Sequence, residues 1–347
     1  MKRMAVTNLK DGMRIAREIA SPTGILLIAA GTEVNQFTIN RLRNLEIEYV
    51  YIHEEIDATA AIDYNKLKIR YGNLVQKLKY TFRTLRFGQK YIADELDLNI
   101  DQLIEELVKS NNLMACLKVI DKKDEGLFFH SANVAVTSVL IAKWLNLSDE
   151  EIKRIAYGAL FHDIGMTKIG DYLIEKTYHS GYRLDRDEEM KIKKHSVYGY
   201  QLLSEVYGLS KDVALIALQH HEAMDGSGYP LKIKVGNIHP FSRIVAIADL
   251  YDNLISGRNG KLYGYFEALE YILDARFQKI DHGLALLFVK NMVNFYIGNR
   301  VSLSNGKVGE VIFIHNNHLT RPVIRTKDSF VDLTENKNIQ ILDVVML

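Results

Sequence analysis

The spacing of apolar residues changes along the chain and divides it into four segments. Residues 1–57 contain short β-branched and aromatic runs separated by turn-forming residues, and they predict a small β-rich unit that serves as an accessory or regulatory domain. Between residues 58 and 115 apolar positions recur every three or four residues, which predicts a helical linker. Residues 116–297 are expected to form a mainly helical domain, and residues 298–347 a small β unit.

The predicted linker carries an apolar stripe with steps of three and four residues. The stripe consists of Leu67, Tyr71, Leu74, Leu78, Thr81 and Leu85. Such a stripe either packs against its own chain or joins two copies in a coiled-coil-like contact. The sequence leaves both alternatives open, so a homodimer formed through the linker remains one expectation.

Recognisable boundary residues support the helical and β assignments of the second half. Ser148 followed by Glu151 has the spacing of a capping box at a helix start. Pro240 fits the first turn of another helix, and proline is absent between Pro22 and Pro230. An Asn-Gly pair at 305–306 predicts a hairpin turn between two strands.

Charge, cysteine count and the length of the apolar runs argue against several classes of protein. The formal net charge of +1 disfavours nucleic acid and anionic membranes as partners. The single cysteine, Cys116, excludes an internal disulfide and a thiolate-rich zinc site. The first residues lack an apolar run of signal-peptide length, and the run GILLIAA is too short to cross a bilayer. We therefore expect a cytoplasmic protein without membrane insertion.

Seven histidines and aspartates fall on, or at the end of, apolar helical faces in the third segment. They are His130, His162, Asp163, His195, His220, His221 and Asp249. Such faces are normally buried, and each buried polar group without a partner costs on the order of 1–3 kcal/mol. The side chains must therefore hydrogen-bond one another or coordinate metal. A set of nitrogen and oxygen ligands without sulfur suits two borderline cations such as Mn, Fe, Ni or Zn.

Each of these residues alone has a simpler explanation. A single histidine on an apolar face is more often a hydrogen-bonded core residue, and a histidine pair at a helix end can act as a cap. Gly199, one turn after His195, costs helix stability of about 1 kcal/mol and needs a reason. That reason is either room for a metal or ligand, or close helix packing. The seven residues taken together favour a metal site.

The third segment closely resembles the HD-GYP family, a branch of the HD phosphohydrolases. The matching motifs are HSANVA, ALFHDIG, HSVYGYQLL, IALQHHEAMDGSGYP, RIVAIADLYDNL and SGR, spread over residues 125–290 or about half of the chain. The run HHEAMDGSGYP is the most specific of them. The resemblance implies an HD-type helical bundle as the catalytic domain, flanked by the two small β units.

The resemblance also implies hydrolysis of cyclic di-GMP to pGpG, and on to GMP, by a hydroxide that bridges two metals. His130, His162, Asp163 and Asp249 would hold one metal, and His195, His220 and His221 the other, with Asp163 bridging. Fe or Mn is the expected metal, with Ni or Zn as alternatives. Two metals would bind the phosphodiester oxygens and lower the pKa of the attacking water toward neutrality.

Substrate contacts are likewise inferred from the family motifs. Gly228, Tyr229 and Pro230 would shape the pocket, Arg258 would reach a phosphate, and Asp225 is a further candidate. The glycines of this segment would provide backbone freedom, and the Tyr229 ring would lie beside a base or ribose.

The chain departs from the family pattern at two positions. The family usually continues HDIG with lysine, whereas this chain has Met166; Lys168 is the next lysine and the candidate substitute. Some members bind a third metal through a glutamate one helical turn before the first histidine, where this chain has Gly126, with Glu125 one residue earlier. We therefore expect two metals rather than three.

Three functions follow as hypotheses. The first is an active cyclic di-GMP phosphodiesterase, for which the complete ligand set argues. The second is a cyclic di-GMP sensor with weak or no turnover, because Met166 replaces the lysine. The third is an HD phosphohydrolase of another nucleotide.

Overall fold

The computed structural model describes residues 2–10, 13–17, 19–20, 26–28, 32, 34, 36–45, 47–52, 64–86, 126–178, 183–258, 261–274 and 279–345. Two compact units divide the chain, Met1–Asp63 and Tyr64–Leu347. Cys116 and Glu125 lie outside the described residues.

The first unit combines short strand pairs with one described helix. Its elements are β1 (Lys2–Ala5), β2 (Ile19–Ala20), β3 (Leu26–Ile28), α1 (Gln36–Asn44) and β4 (Tyr49–Ile52). Strand β1 pairs antiparallel with β4, and β2 pairs antiparallel with β3. In β4 exposed and buried residues alternate, so Val50 and Ile52 enter the core of this unit. The helix α1 was not predicted from the sequence.

The second unit is a helical body with a sheet at its C-terminal end. Its helices are α2 (Tyr64–Arg86), α3 (Leu127–Trp144), α4 (Asp149–Phe161), α5 (Asp171–Tyr178), α6 (Arg186–Ile192), α7 (His195–Ser204), α8 (Lys211–Gln219), α9 (Pro240–Ser256), α10 (Tyr265–Leu273) and α11 (His282–Phe295). Short 3-10 turns occur at Ile164–Lys168 and Val235–Asn237. The predicted mainly helical class is confirmed.

Helix α3 is the central helix of this body. Its length and apolar composition would allow it to cross a bilayer, but 78% of it is buried inside the protein. It packs against α4, α9 and α2. Burial by other helices and the presence of His130 on it identify α3 as a core helix of the domain.

Helix α2 resolves the choice left open for the apolar stripe. Leu74, Leu78, Phe82 and Leu85 are buried in the same core as α3 and α4. The Phe82 ring packs edge-on against the ring of Phe128. The described part of the stripe therefore packs against its own chain, and this surface is covered rather than free to form a dimer.

The helix boundaries follow the predicted capping residues. Ser148 caps α4 and forms the full capping box with Glu151. Pro240 occupies the first turn of α9. These local rules fix where α4 and α9 begin, and hence where the histidine at the end of α4 and the aspartate in α9 are placed.

The C-terminal strands form one antiparallel sheet that shares the core of the helical body. Its strands are β5 (Arg300–Leu303), β6 (Val308–His315), β7 (His318–Thr326), β8 (Phe330–Asp332) and β9 (Ile341–Val345), in the order β8-β7-β6-β5-β9. The predicted hairpin around 305–306 joins β5 to β6. The buried side chains of Val301, Val311 and Ile324 belong to the same hydrophobic core as the helices.

Candidate metal centre

The fold brings all seven predicted ligand residues into one buried cluster. His130 comes from α3, His162 and Asp163 follow α4, His195 begins α7, His220 and His221 follow α8, and Asp249 lies in α9. Six of them are buried, and the His221 side chain is 26% exposed. Two groups of side chains can each surround one cation: His130, His162 and Asp163 on one side, and Asp163, His195, His220 and His221 on the other.

Two glycines allow the turn that carries Asp163 to approach α7. A Cβ on Gly165 would lie 1.9 Å from the carbonyl oxygen of His195, so no side chain fits there. A Cβ on Gly199 would lie 3.3 Å from the Cβ of Ala217 on α8. The glycine after His195 is therefore explained by close packing, which was the second of the two alternatives. This packing sets the distance between the Asp163 and His195 side chains.

The carboxylate of Asp163 is divided between the two groups. Its Oδ2 lies 3.1 Å from the Nε2 of His162 and 3.4 Å from that of His130. Its Oδ1 lies 3.1 Å from the Nε2 of His195 and 3.6 Å from that of His220. One oxygen thus faces each group, which is the arrangement of a carboxylate that bridges two cations.

Four histidines direct the same ring nitrogen into the cluster. The Nδ1 atoms lie 2.6–3.1 Å from an oxygen: the carbonyls of Ala159 for His162, Ile192 for His195, and Ile216 and Ala217 for His220, and the carboxylate of Asp252 for His130. An Nδ1 that donates its proton to an oxygen leaves Nε2 as the ligand atom. Outer hydrogen bonds of this kind orient metal-binding histidines.

The distances between the histidine Nε2 atoms match those expected for nitrogens bound to a common cation. The two Nε2 atoms are 3.2 Å apart in the pair His130–His162 and 3.3 Å apart in the pair His195–His220. Two lone pairs at that distance repel each other unless a proton or cation lies between them. Two metal–nitrogen bonds of about 2.1 Å that meet at about 90–110° separate their nitrogens by about 3.0–3.4 Å. The donor set therefore fits two cations bound between these side chains.

Asp249 extends the group around His130. Its Oδ1 lies 3.1 Å from the Nε2 of His130 and accepts a hydrogen bond from the Asn253 amide. Its Oδ2 lies 4.0 Å from the Nδ1 of His221. Asp249 thus lies beside the group around His130, and a metal shared by the two residues stays a prediction.

The electrostatics of the His130 group are dominated by its carboxylates. Burial and the nearby guanidinium of Arg258 lower the pKa of His130, but hydrogen bonds to Asp163, Asp249 and Asp252 outweigh them and raise it to about 10. Burial also opposes ionisation of Asp163, yet the surrounding histidines hold the pKa of its carboxyl well below its ordinary value. Without a cation, the carboxylates thus keep positive charge on His130.

The opposite group is mixed in its ability to hold a proton. Burial lowers the pKa of His195, but its hydrogen bond with Asp163 and the charge of that carboxylate outweigh burial and raise it. Burial lowers the pKa of His220, and burial together with the neighbouring His220 and His195 lowers the pKa of His221 well below its ordinary value. Neutral imidazoles with a free lone pair are the form that binds metal. Both groups therefore offer what a cation requires: carboxylate charge beside His130 and His195, and neutral nitrogens at His220 and His221.

The GYP segment forms a tight loop over His221. A Cβ on Gly228 would lie 2.5 Å from the carbonyl oxygen of His221, and the backbone N–H of Tyr229 donates to that same oxygen. The Tyr229 ring stacks on the His221 ring with 4.6 Å between centroids, and the Lys193 ammonium lies 5.6 Å from the same ring centre. Tyr229 thus contacts a cluster residue directly, and its ring is already engaged by two neighbours.

Two predicted substrate contacts lie away from the cluster. Lys168 Nζ donates to the carbonyl of Arg86 at the end of α2, and no contact of Lys168 with a cluster residue occurs among the described residues. Met166 itself is buried at 1% exposure. The exposed Asp225 accepts a hydrogen bond from the backbone N–H of Ser227 and stabilises its own turn.

Arg258 is buried beside the cluster. Its Nη1 donates to Asp252 Oδ2 at 3.0 Å, and its guanidinium lies over the ring of Tyr178. The Tyr178 hydroxyl donates in turn to Asp163 Oδ2. Within the described residues, Nε and Nη2 of Arg258 have no hydrogen-bond partner. Arg258 is thus separated from the Asp163 carboxylate by one side chain, that of Tyr178, and two of its buried donors have no partner among the described residues.

Four supporting residues were not predicted from the sequence. Asp252 and Asn133 hold His130, Tyr178 holds Asp163, and Glu222 binds the GYP loop. Glu222 accepts hydrogen bonds from three backbone N–H groups, those of residues 231, 232 and 233. Asp252 lies three residues after Asp249, and Asn133 three after His130. A search for polar residues one turn from each ligand would have found both.

The chain is similar to HD-domain proteins and to phosphodiesterases of cyclic dinucleotides. Residues 115–284 match the HD domain. The cyclic di-GMP phosphodiesterase PA4108 of Pseudomonas aeruginosa is 26% identical over 245 residues, which cover 70% of this chain and 58% of that protein. The cyclic di-GMP phosphodiesterase response regulator RpfG of Xanthomonas campestris is 32% identical, over 62% of this chain and 56% of that protein.

Other relatives carry a different substrate in their names. The 3'3'-cGAMP-specific phosphodiesterase 1 of Vibrio cholerae is 36% identical over 155 residues, or 45% of this chain and 34% of that protein. The chain thus spans less than two thirds of the length of each of these three relatives. Among solved structures, Bd1817, an HDG"Y"P protein from Bdellovibrio bacteriovorus, has a TM-score of 0.52 at 16% identity, over 83% of this chain and 97% of that chain. That similarity concerns the fold.

Proposed function

Since the chain belongs to the HD-GYP family of HD-domain proteins, we propose that it is a metal-dependent phosphodiesterase that hydrolyses cyclic di-GMP to pGpG, GMP or both. The observation that carries the proposal is the Asp163 carboxylate, whose two oxygens face two separate groups of histidine Nε2 atoms. A buried carboxylate whose two oxygens face different histidine groups is not needed to hold a helical core together.

The ligands divide into two sets. His130, His162 and Asp249 would hold one cation and His195, His220 and His221 the other, and each set faces one oxygen of Asp163. Fe or Mn is the proposed metal, with Ni or Zn as alternatives. When bound, two such cations neutralise phosphodiester charge and supply a nucleophile at neutral pH.

Arg258 is the side chain proposed to receive the phosphate. Its two unpaired donors are buried, and each such donor costs on the order of 1–3 kcal/mol when left without a partner. A phosphate oxygen would satisfy them with charge-assisted hydrogen bonds. Asp252 and the Tyr178 ring fix the guanidinium in place, so its free edge is oriented before substrate arrives.

Tyr178 and Tyr229 each contact one proposed metal ligand, Asp163 and His221 respectively. Tyr178 donates to the same Asp163 oxygen that faces His130 and His162, which fixes the rotation of the carboxylate. Tyr229 covers His221, the most exposed of the ligands, and shields it from water. We propose that Gly228, Tyr229 and Pro230 form one wall of the substrate pocket and that the Tyr229 edge, rather than its stacked face, contacts the nucleotide.

A second candidate function is a cyclic di-GMP sensor with little turnover. It is favoured by the buried Met166 at the position of the family lysine and by Lys168, whose ammonium is bound to a carbonyl of α2. A sensor would bind the dinucleotide through the same Arg258 edge. Only turnover separates the two functions, because binding is common to both.

The decisive experiment is turnover by protein purified without oxygen, with the metal content counted on the same sample. Cyclic di-GMP and 3'3'-cGAMP are offered separately, because relatives are named for each substrate. About two metals per chain and release of pGpG or GMP support the proposal. Two metals with binding of cyclic di-GMP but no product support the sensor, and preferential cleavage of 3'3'-cGAMP supports a phosphodiesterase of another nucleotide. Protein that binds no metal after reconstitution with Mn or Fe contradicts the proposed centre.

A further inference from the structure

A chain of hydrogen bonds leads from helix α2 to the His130 ligand. The Tyr71 hydroxyl on α2 donates to the Oδ1 of Asn133 on α3. The Nδ2 of Asn133 donates to the Oδ1 of Asp252 on α9 at 2.8 Å. The Oδ2 of Asp252 lies 2.7 Å from the Nδ1 of His130. Four side chains from three helices thus form one continuous relay.

The chemistry of the groups fixes the direction of each hydrogen bond. An ionised carboxylate only accepts, so the Asn133 amide must turn its NH₂ toward Asp252. Its carbonyl oxygen then faces Tyr71 and requires a donor, which the hydroxyl provides. At the other end Asp252 must accept from the Nδ1–H of His130. The relay therefore keeps a proton on Nδ1 and directs the His130 Nε2 toward Asp163 and Asp249.

The relay is buried at the histidine end and reaches a helix that supplies no ligand. Asp252 is 2% exposed and Asn133 is 4% exposed, so a lost partner is not readily replaced by water. Tyr71 is half-buried, and its ring packs against Phe129, 6.2 Å away between centroids. The Tyr71 hydroxyl also lies 3.4 Å from the backbone carbonyl oxygen of Phe129. A substitution that removes only the hydroxyl therefore keeps the ring contact and tests the hydroxyl contacts alone.

We propose that Tyr71 is a positioning residue for His130 and makes the metal centre sensitive to the placement of α2. The inference rests on the proposed function, because it concerns a ligand of that centre. Helix α2 is the first described element after the unit Met1–Asp63 along the chain. Its other end is attached to the segment that follows Asp163, through Lys168 on the Arg86 carbonyl and Arg86 on Asp171. A shift of α2 would therefore reach His130 through the contact between the hydroxyl of Tyr71 and Asn133.

The test compares Tyr71→Phe with Tyr80→Phe in the full chain. Both substitutions remove one tyrosine hydroxyl from α2, but Tyr80 is 68% exposed. Metal-free protein is titrated with Mn²⁺, and the dissociation constants of the two ions are measured. Loss of a direct outer partner of a ligand typically weakens metal binding about 10–100-fold. Tyr71 lies two side chains beyond that partner, Asp252, so we expect a smaller loss of roughly threefold to tenfold for one ion. The second ion and the Tyr80→Phe protein should be unchanged.

A second readout follows the proton on His130 in metal-free protein. Nuclear magnetic resonance of histidine-labelled protein should show faster solvent exchange of the His130 Nδ1 proton in Tyr71→Phe. The Asn133→Ala variant should have the same effect on the metal, and the double variant should add nothing, because both act through one chain of contacts.

Unchanged metal affinities and an unchanged Nδ1 proton in Tyr71→Phe would overturn the inference, even if the protein became less stable. An equal loss of affinity for both ions would do so too, since it would indicate general loosening. Wild-type protein that binds neither Mn²⁺ nor Fe²⁺ would contradict the proposed function, whereas exchange of the His130 Nδ1 proton would still show whether the relay exists.

Discussion

The two halves of the candidate centre differ in how one histidine is oriented. In the His130 half, made of His130, His162 and Asp249, the carbonyl of Ala159 orients His162, but His130 takes its orientation from Asp252 on another helix, and Asp252 depends on Asn133. In the His195 half, made of His195, His220 and His221, the first two histidines are oriented by backbone carbonyls three or four residues earlier.

The difference determines whether a substitution far from the centre can change the orientation of a ligand. A backbone carbonyl within a helix stays in place as long as the helix exists, so the His195 half depends on local structure. A side-chain network changes when any of its members is lost, and its members couple to one another. We therefore expect distant substitutions to affect the His130 half selectively, and only the shared Asp163 to affect both halves together.

Asp163→Ala should weaken metal binding in both halves and should lower turnover more than any other substitution proposed. Both oxygens are lost, so each half loses a ligand atom. The His130 half keeps Asp249, whereas the three histidines of the His195 half are left without a carboxylate in their set. Two cations contribute several kcal/mol to a phosphoryl-transfer transition state, and each 1.4 kcal/mol is tenfold, so turnover should fall by about 10³-fold or more. Metal counting on the purified variant should give no retained pair of ions, while circular dichroism should show the helices intact. Full activity in this variant would mean that the site is wrongly assigned.

Asp252→Asn should separate the two halves. The amide keeps the shape of the carboxylate but removes its charge from the Nδ1 of His130. Loss of such an outer partner typically weakens metal binding about 10–100-fold, and we expect this for one of two ions. Competitive chelation should resolve two dissociation constants, of which the second keeps its wild-type value. Two equally weakened ions would show that the halves are not independent.

The same contrast explains which residues could be predicted from the sequence. His162 and His220 lie where an apolar helix ends, so an Nδ1 within reach of a carbonyl of that helix follows from local geometry. The capping box at Ser148 and the proline at the start of α9 are equally local, and both predictions are confirmed. The ligand residues themselves are recognisable because buried polar side chains on apolar faces need a common explanation.

What the sequence did not provide are contacts between distant segments. Asn133 and Asp252 are 119 residues apart, and no spacing rule links them. Arg258 was expected to be a phosphate contact only, but it also neutralises Asp252 in the core. Lys168 was expected near the substrate, whereas its ammonium binds the end of α2, which depends on how two helices pack. In each case the residue type indicated which kind of contact the side chain makes. Which residue it contacts depends on how the helices pack.

Glu222→Gln should disturb the surroundings of the His195 half without removing a ligand. The carboxylate accepts from three backbone N–H groups, and an amide oxygen can replace only part of this. A buried donor left unpaired costs about 1–3 kcal/mol, so the free energy of unfolding should fall by that amount. Because the loop also carries Tyr229, KM for the dinucleotide should rise while two metals remain bound.

Tyr229→Phe is the matched control for Glu222→Gln. It keeps the ring stacked on His221 and leaves the loop backbone unchanged. Its metal content should equal that of wild type, and any change should be confined to substrate handling. Loss of a metal in Glu222→Gln but not in Tyr229→Phe would show that the loop holds His221 through its backbone, and the contrast between the halves would then be smaller than we infer.

Ser148→Ala should have the smallest effect and should leave the centre untouched. Ser148 caps α4 at the end opposite to His162, thirteen residues of helix away. Loss of a serine N-cap costs about 1 kcal/mol, measurable as a lower midpoint in urea with an unchanged slope. Both metal affinities should stay at their wild-type values, because the carbonyl of Ala159 that orients His162 lies in the last turn of the helix. A selective loss of the ion bound by His162 would instead show that fraying at one end of α4 reaches the other, and the His130 half would then depend on whole helices as well as on its side-chain network.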